Sequence, residues 1–285
     1  MKHARLNHAI MLVISLVFVV AITVFRSIAI SSGFDPEVGY FKSDCGFAKA
    51  SSICSFIYVV AALVWSLVSC TGRRIASNDP TFARFSALAV GAVSCFMLAT
   101  QFSSAFDGEG ALSVIASVFL LLGLSYFLLT YLSLTKPEPY RAIGAMCLVF
   151  FGLFYVLHYY FLDKMPINGD LKTAHILCAM SFFMFFLVEA KRILRKSTGT
   201  SNRFFSLCAF LYCTSVSMAE LVGHFTNEKA DFESYTVALF FFSVGIYAFI
   251  RLCAERPKPT SDAVTVTLPS EQAAQPEATE TQTQE

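Results

Sequence analysis

Apolar residues run along this chain in long blocks separated by short polar stretches. Eight blocks are long enough to cross a bilayer, whose hydrocarbon core of about 30 Å takes roughly 20 residues of helix. They fall at 8–30, 49–70, 83–104, 111–133, 142–162, 173–190, 204–224 and 234–253. The stretches between them carry turn and breaker residues: Asn-Asp-Pro at 78–80, Asp-Gly-Glu-Gly at 107–110, Lys-Pro-Glu-Pro at 136–139, Asn-Gly at 168–169 and Ser-Thr-Gly-Thr at 197–200. The pattern predicts an all-α integral membrane protein, a bundle of about eight transmembrane helices occupying residues 1–256. The connections are too short for a soluble catalytic domain. Residues 257–285 change character to Pro, Thr, Gln and Glu without an aromatic residue. Such a segment cannot bury enough apolar surface to order itself, and it reads as a disordered cytoplasmic tail that could recruit a protein partner.

Composition agrees with the hydrophobic pattern. The chain is 56% hydrophobic and 14% charged, whereas soluble domains carry about 25% charged residues. The partner this implies throughout is the lipid bilayer. A formal net charge of +1 offers no basic surface for nucleic acid. Nine Cys, an odd number, fall mostly inside the apolar blocks and form no CxxC pair. They read as small buried hydrophobes rather than as a disulfide or zinc framework.

Charge along the chain sets an orientation. With the N-terminus inside, 15 of the 21 Lys and Arg lie at inner positions; the six at outer ones are Arg26, Lys42, Lys49, Lys164, Lys172 and Lys229. That asymmetry predicts eight spans with both termini cytoplasmic. The short loops and the lack of glycosylation sequons suggest a bacterial inner membrane. Lys2 and Arg5 resemble the basic start of a signal peptide. The first block, however, is long and contains Arg26, so a retained anchor is expected. Offset by 120 residues, 83–100 lies over 203–220 with four of 18 positions matching, namely Phe, Ser, Ala and Ala. This hints at a parallel repeat of four plus four helices.

Two stripes stand out at helical spacing. In the third block Ala87, Gly91, Cys95, Ala99 and Ser103 form a ridge of small residues, a seam for close helix packing that the seventh block keeps at Ser215, Ala219 and Gly223. The seventh block also has a polar stripe: Cys213, Ser217, Glu220, His224 and Asn227 fall within roughly 80° of one another at about 100° per residue. A stripe this narrow should face protein or water. Glu220 lies within hydrocarbon depth, where an ionisable group is by default a candidate functional residue. His158 ends the fifth block and His175 begins the sixth, so three histidines with His224 reach the outer leaflet beside Glu220.

Three roles are compatible with that cluster. Glu220 could merely pair with Arg26 or His224. Glu220, His224, Ser217, His175, His158 and Arg26 could instead line an outward-facing pocket among spans five to seven that binds or transports a small solute, a cation or a proton. Finally, His158, His175, Glu220 and His224 could hold a divalent metal such as zinc, since three His and one carboxylate form a plausible ligand set. A metal-dependent membrane enzyme would follow from the last, and a sensor signalling through its tail is a further alternative. No phosphate-binding loop, dinucleotide fingerprint or nucleophile elbow is present, so the sequence points to a non-enzymatic role. The outer loops carry ten acids against six bases, a mild preference for cationic ligands. Glu189, beside Lys191 and Arg192, reads as a solvated interface charge, and the "KRILRK" run as a topology determinant.

Overall fold

The computed structural model describes residues 2–35, 40–70, 81–106, 111–132, 138–161, 169–194, 199–226 and 235–254. Among them are eight helices: α1 (Lys2–Gly33), α2 (Gly46–Cys70), α3 (Thr81–Phe106), α4 (Ala111–Leu132), α5 (Glu138–Phe161), α6 (Asp170–Ile193), α7 (Gly199–Thr226) and α8 (Tyr235–Cys253). Each is long and apolar enough to cross a membrane. All eight expected spans are present, and nearly every one runs past its apolar block by a few residues. The helical hydrogen-bond ladder continues into the interface, where polar residues can still be carried. The tail expected at 257–285 and the polar-stripe residue Asn227 lie outside the described residues.

The helices differ in how much of themselves they bury. In α7, 72% of the spanning window is inside the protein, against 22% in α2. The central helix α7 packs against α1, α2, α6 and α8. On one side α3, α4, α5, α6 and α8 close a ring in which successive helices touch; on the other, the α1–α2 hairpin leans on α7. The two halves are not equivalent: α6 packs along α7, while the corresponding α2 packs on α7 and not along α3. The contacts therefore show no four-plus-four symmetry.

The ring is filled largely by aromatic side chains, which is where many of the 30 Phe residues go. Phe127 and Phe186 meet edge to face at 5.8 Å, as do Phe151 with Phe240 at 5.7 Å and Phe182 with Phe241 at 5.6 Å. Such contacts add about 0.5–1.5 kcal/mol per pair to area burial. Close approach occurs at Gly144, where a Cβ would come within 2.7 Å of the Tyr126 backbone nitrogen, so α5 and α4 meet almost backbone to backbone. Ser and Thr hydroxyls inside the spans return their hydrogen bonds to the preceding turn, as Ser94 does to Val90 O at 2.7 Å.

The small-residue ridge of α3 is not a packing seam. Ala87 is buried, but Cys95 and Ala99 are exposed. Positions four apart advance by about 400°, so the ridge rotates by roughly 40° at each step and leaves the contact. The buried face of α3 runs instead through Ala83, Ala87, Val90, Ser94 and Met97. In α7 the corresponding small residues Ser215, Ala219 and Gly223 are all buried, because that helix is surrounded on several sides.

The end of the bundle holding the start of α1 is called proximal and the opposite end distal. At the distal end α1 is followed by a two-stranded hairpin, β1 (Phe34–Asp35) and β2 (Tyr40–Phe41), in which Phe34 pairs with Phe41. The Lys42 amide donates to Gly33 O at 2.8 Å. Gly33 leaves room for Cys45, with which a Cβ at that position would collide. At the proximal end the single Trp of the chain, Trp65 of α2, fastens the α1–α2 hairpin to α7. His8 of α1 stacks on its ring at 5.9 Å and the Arg203 guanidinium of α7 lies 5.1 Å from the ring centre.

Candidate functional site

The polar stripe of α7 faces inward. Cys213, Ser217 and Glu220 are buried, whereas His224 near the helix end is half-buried. Glu220, 2% exposed, meets His175 of α6, which is equally buried, through its Oε1 and the imidazole Nε2. The Tyr159 ring of α5 lies against the other side of the imidazole, with ring centres 4.7 Å apart. Two turns deeper on α7, Cys213 Sγ lies 3.7 Å from Cys178 O and from Ser181 Oγ of α6. The stripe is thus a polar seam between α6 and α7, and the distal pair closes it.

The remaining candidates spread out. His224 turns away from His175 and stacks on Tyr235 at the start of α8, 4.0 Å between ring centres. His158 stays half-buried on α5. Of the four candidate metal ligands only His175 and Glu220 meet. Among the described residues no three His, Cys, Asp or Glu side chains assemble into a group able to hold a metal ion. Two donors fall short of the three or four protein ligands zinc takes. The reason is geometric: similar depth on neighbouring helices does not set the angle at which a side chain leaves its helix.

Arg26 sits about 10 Å inside the distal end of α1, seven residues before Gly33 at 1.5 Å per residue. It lies in the electrostatic field of Glu220 and Asp170. No ion pair within 4.0 Å joins it to either, and its buried Nε has no hydrogen-bond partner. Arg26 also borders a cavity of about 630 Å³, within the range of small-molecule sites.

This cavity is formed by α1, the β2–α2 connection, α2, the start of α6, and Tyr212 of α7. Of the six residues expected to line a pocket among spans five to seven, this cavity takes only Arg26; its walls come from α1, α2 and α6 with Tyr212 of α7, and not from α5. Its lining holds three bases, Arg26, Lys42 and Lys49, against one acid, Asp170. Hydroxyls of Ser43, Ser51, Ser52, Ser55 and Thr173 complete the polar part, and Ile53, Phe56, Val59 and Leu177 the apolar part. Ala174, next to His175 in sequence, forms part of the wall. Charge here is opposite in sign to the whole-loop count, because much of the acid surplus lies on other loops. Lys42, Lys49, Asp170 and Tyr212 were not among the candidates read from the sequence. Ser51 and Ser52 at the start of α2 line the same cavity as Arg26, which nothing in the chain indicated.

A second polar cluster lies buried near the proximal end, and it overturns the expectation for Glu189. That carboxylate is 1% exposed, not solvated. Its Oε2 accepts hydrogen bonds from Arg192 Nη2 at 2.9 Å, Arg251 Nη2 at 3.0 Å and Tyr126 Oη at 3.2 Å. Tyr126 Oη is in turn 2.8 Å from Tyr247 Oη, and Arg251 lies over the Tyr247 ring. One carboxylate thus joins α4, α6 and α8. Arg192 of the basic run is therefore a buried structural residue as well as a possible determinant of topology.

Eight apolar helices around a polar seam define the chain as a multi-pass helical membrane protein. It matches no family model, no curated protein and no solved structure.

Proposed function

We propose that the protein binds a small anionic solute in the distal cavity between α1, α2, α6 and α7. The observation that supports this is the sign of the lining: Arg26, Lys42 and Lys49 converge on a space with one acid, Asp170. A guanidinium held within a membrane span is costly without a compensating anion. Among the described residues Arg26 forms no ion pair within 4.0 Å, so a bound anion would add a direct partner to the more distant carboxylates of Glu220 and Asp170. The planar fork of Arg suits carboxylates and phosphates, and the flanking lysines add point charges. The exposed Ser43 at the rim adds a hydroxyl. The buried His175–Glu220 pair joins α6 to α7. The small solute expected from the sequence is kept in this reading, and its charge is reversed.

The test is equilibrium binding to the full chain in a neutral detergent. Inorganic phosphate, citrate, choline and lysine are the probes, with Arg26→Ala as the comparison. The expected result is saturable binding of the anions, weakened at least tenfold in Arg26→Ala, with no saturable binding of the cations. Binding of choline or lysine in preference to the anions refutes the reading.

A further inference from the structure

We infer that the ligand of the distal cavity is an amphiphile, with an anionic headgroup and an alkyl chain, that enters from the bilayer between α2 and α6. This rests on the anion-binding reading of the same cavity and names its substrate class. Three observations carry it. First, α2 and α6 both pack on α7 without packing along each other, so the cavity has a side facing the hydrocarbon. Its apolar lining is on that side: Ile53, Phe56 and Leu177 are 60%, 71% and 38% exposed.

Second, the charged lining outside α1 stands at the distal rim, while the apolar side chains of α2 lie deeper, with Ser55 among them and Arg26 at a similar depth on α1. Lys42, Ser43, Lys49, Ser52 and Asp170 stand at the distal rim, and Ile53, Phe56 and Val59 follow deeper along α2. From Lys49 to Val59 is ten residues, or about 15 Å of helix. That equals half of a hydrocarbon core of about 30 Å, the depth of one leaflet. A fully water-soluble anion leaves this apolar half unused, whereas one alkyl chain of leaflet length follows it. Third, charge is complementary at the level where a headgroup would lie. The two exposed lysines stand at the distal rim, and Arg26 borders the same cavity from within α1. Basic pockets between membrane helices are suited to anionic headgroups.

The chemistry shared by the possible sources is an oxyanion attached to an alkyl chain. A bilayer phospholipid and a free fatty acid both supply it. Native mass spectrometry of the full chain, released from a neutral detergent, tests the inference with four probes. These are dioleoyl phosphatidylglycerol, dioleoyl phosphatidylcholine, oleate, and glycerol 3-phosphate, which has the charge without the chain. The expected result is one phosphatidylglycerol or one oleate retained per chain, with phosphatidylcholine and glycerol 3-phosphate at least tenfold weaker. Whichever of the two anions is held more tightly identifies the source.

Retention should fall at least tenfold in Arg26→Gln, and also in Ser52→Trp, which fills the rim from an exposed position. The double variant Lys42→Gln/Lys49→Gln alters only exposed side chains and gives the same loss if Arg26→Gln does not fold. Glycerol 3-phosphate bound as tightly as phosphatidylglycerol overturns the inference and leaves the anion site standing. Equal retention of phosphatidylglycerol and phosphatidylcholine, unaffected by these variants, overturns both. No retention of any of the four probes also overturns both.

Discussion

Replacing Glu189 by Ala is the most direct test of the proximal polar cluster. The carboxylate accepts from two guanidinium groups at 2.9 and 3.0 Å and from a phenol at 3.2 Å, all inside the bundle. At an effective dielectric constant of about 20, each guanidinium–carboxylate pair at this separation is worth about 5–6 kcal/mol of Coulomb energy. Desolvation of the three charged groups offsets much of that. Deleting one member of a buried ionic cluster nonetheless costs about 3–5 kcal/mol, because the remaining charges stay buried without it. Glu189→Ala should therefore destabilise the bundle by ~3–5 kcal/mol, a factor of roughly 10² to 10³ or more in the folded-to-unfolded ratio. The assay is reversible unfolding in mixed micelles of rising denaturing-detergent content, followed by the circular dichroism of the helices. Glu189→Ala/Arg251→Met removes one acid and one base together. It should recover part of the loss, since residues in contact are not additive. A Glu189→Ala cost below about 1 kcal/mol would refute the reasoning, because a solvated surface pair is worth no more than that.

Two further perturbations test the other polar contacts. Glu220→Gln keeps the volume but replaces the carboxyl group that meets His175. It should cost about 1–3 kcal/mol in the same unfolding assay, the range for a buried hydrogen bond to a charged group, and an unchanged midpoint would place Glu220 outside the seam. Arg203→Met removes the cation over Trp65 and should cost ~0.5–2 kcal/mol. Because Trp65 is the single Trp of the chain, its fluorescence emission should shift in the same variant, and an unshifted spectrum would show that the guanidinium does not lie on the ring.

Much of this architecture is legible in the chain before folding. Span number and approximate limits follow from lengths of apolar sequence, since a backbone in hydrocarbon must satisfy its hydrogen bonds within a helix. The inward direction of Glu220 follows from the stripe on its own helix, because rotation about a single helix axis is set by 3.6 residues per turn. His175 was among the candidates for the same reason, at the right depth on the next helix. What the stripe could not provide was the choice among His175, His158, His224 and Arg26 as the partner. That choice depends on which faces of α5, α6, α7 and α8 meet, and His224 was taken by Tyr235.

Glu189 shows the same limit from the other direction. Next to Lys191 and Arg192 at a span end, it carries every local sign of a solvated charge. Burial came from Tyr126 and Arg251, contributed by helices 63 and 62 residues away in sequence. The basic cavity is a third case. Lys42, Lys49 and Arg26 belong to three separate elements, and only the leaning of the α1–α2 hairpin on α7 gathers them. Periodicity along the chain thus determines membrane insertion, helix number and the inward stripe of α7, because those depend on local burial, whereas the buried face of α3 was set by its neighbours. Which polar groups meet, and the sign of the cavity they form, depends on helix-to-helix packing, and tertiary structure alone decided it.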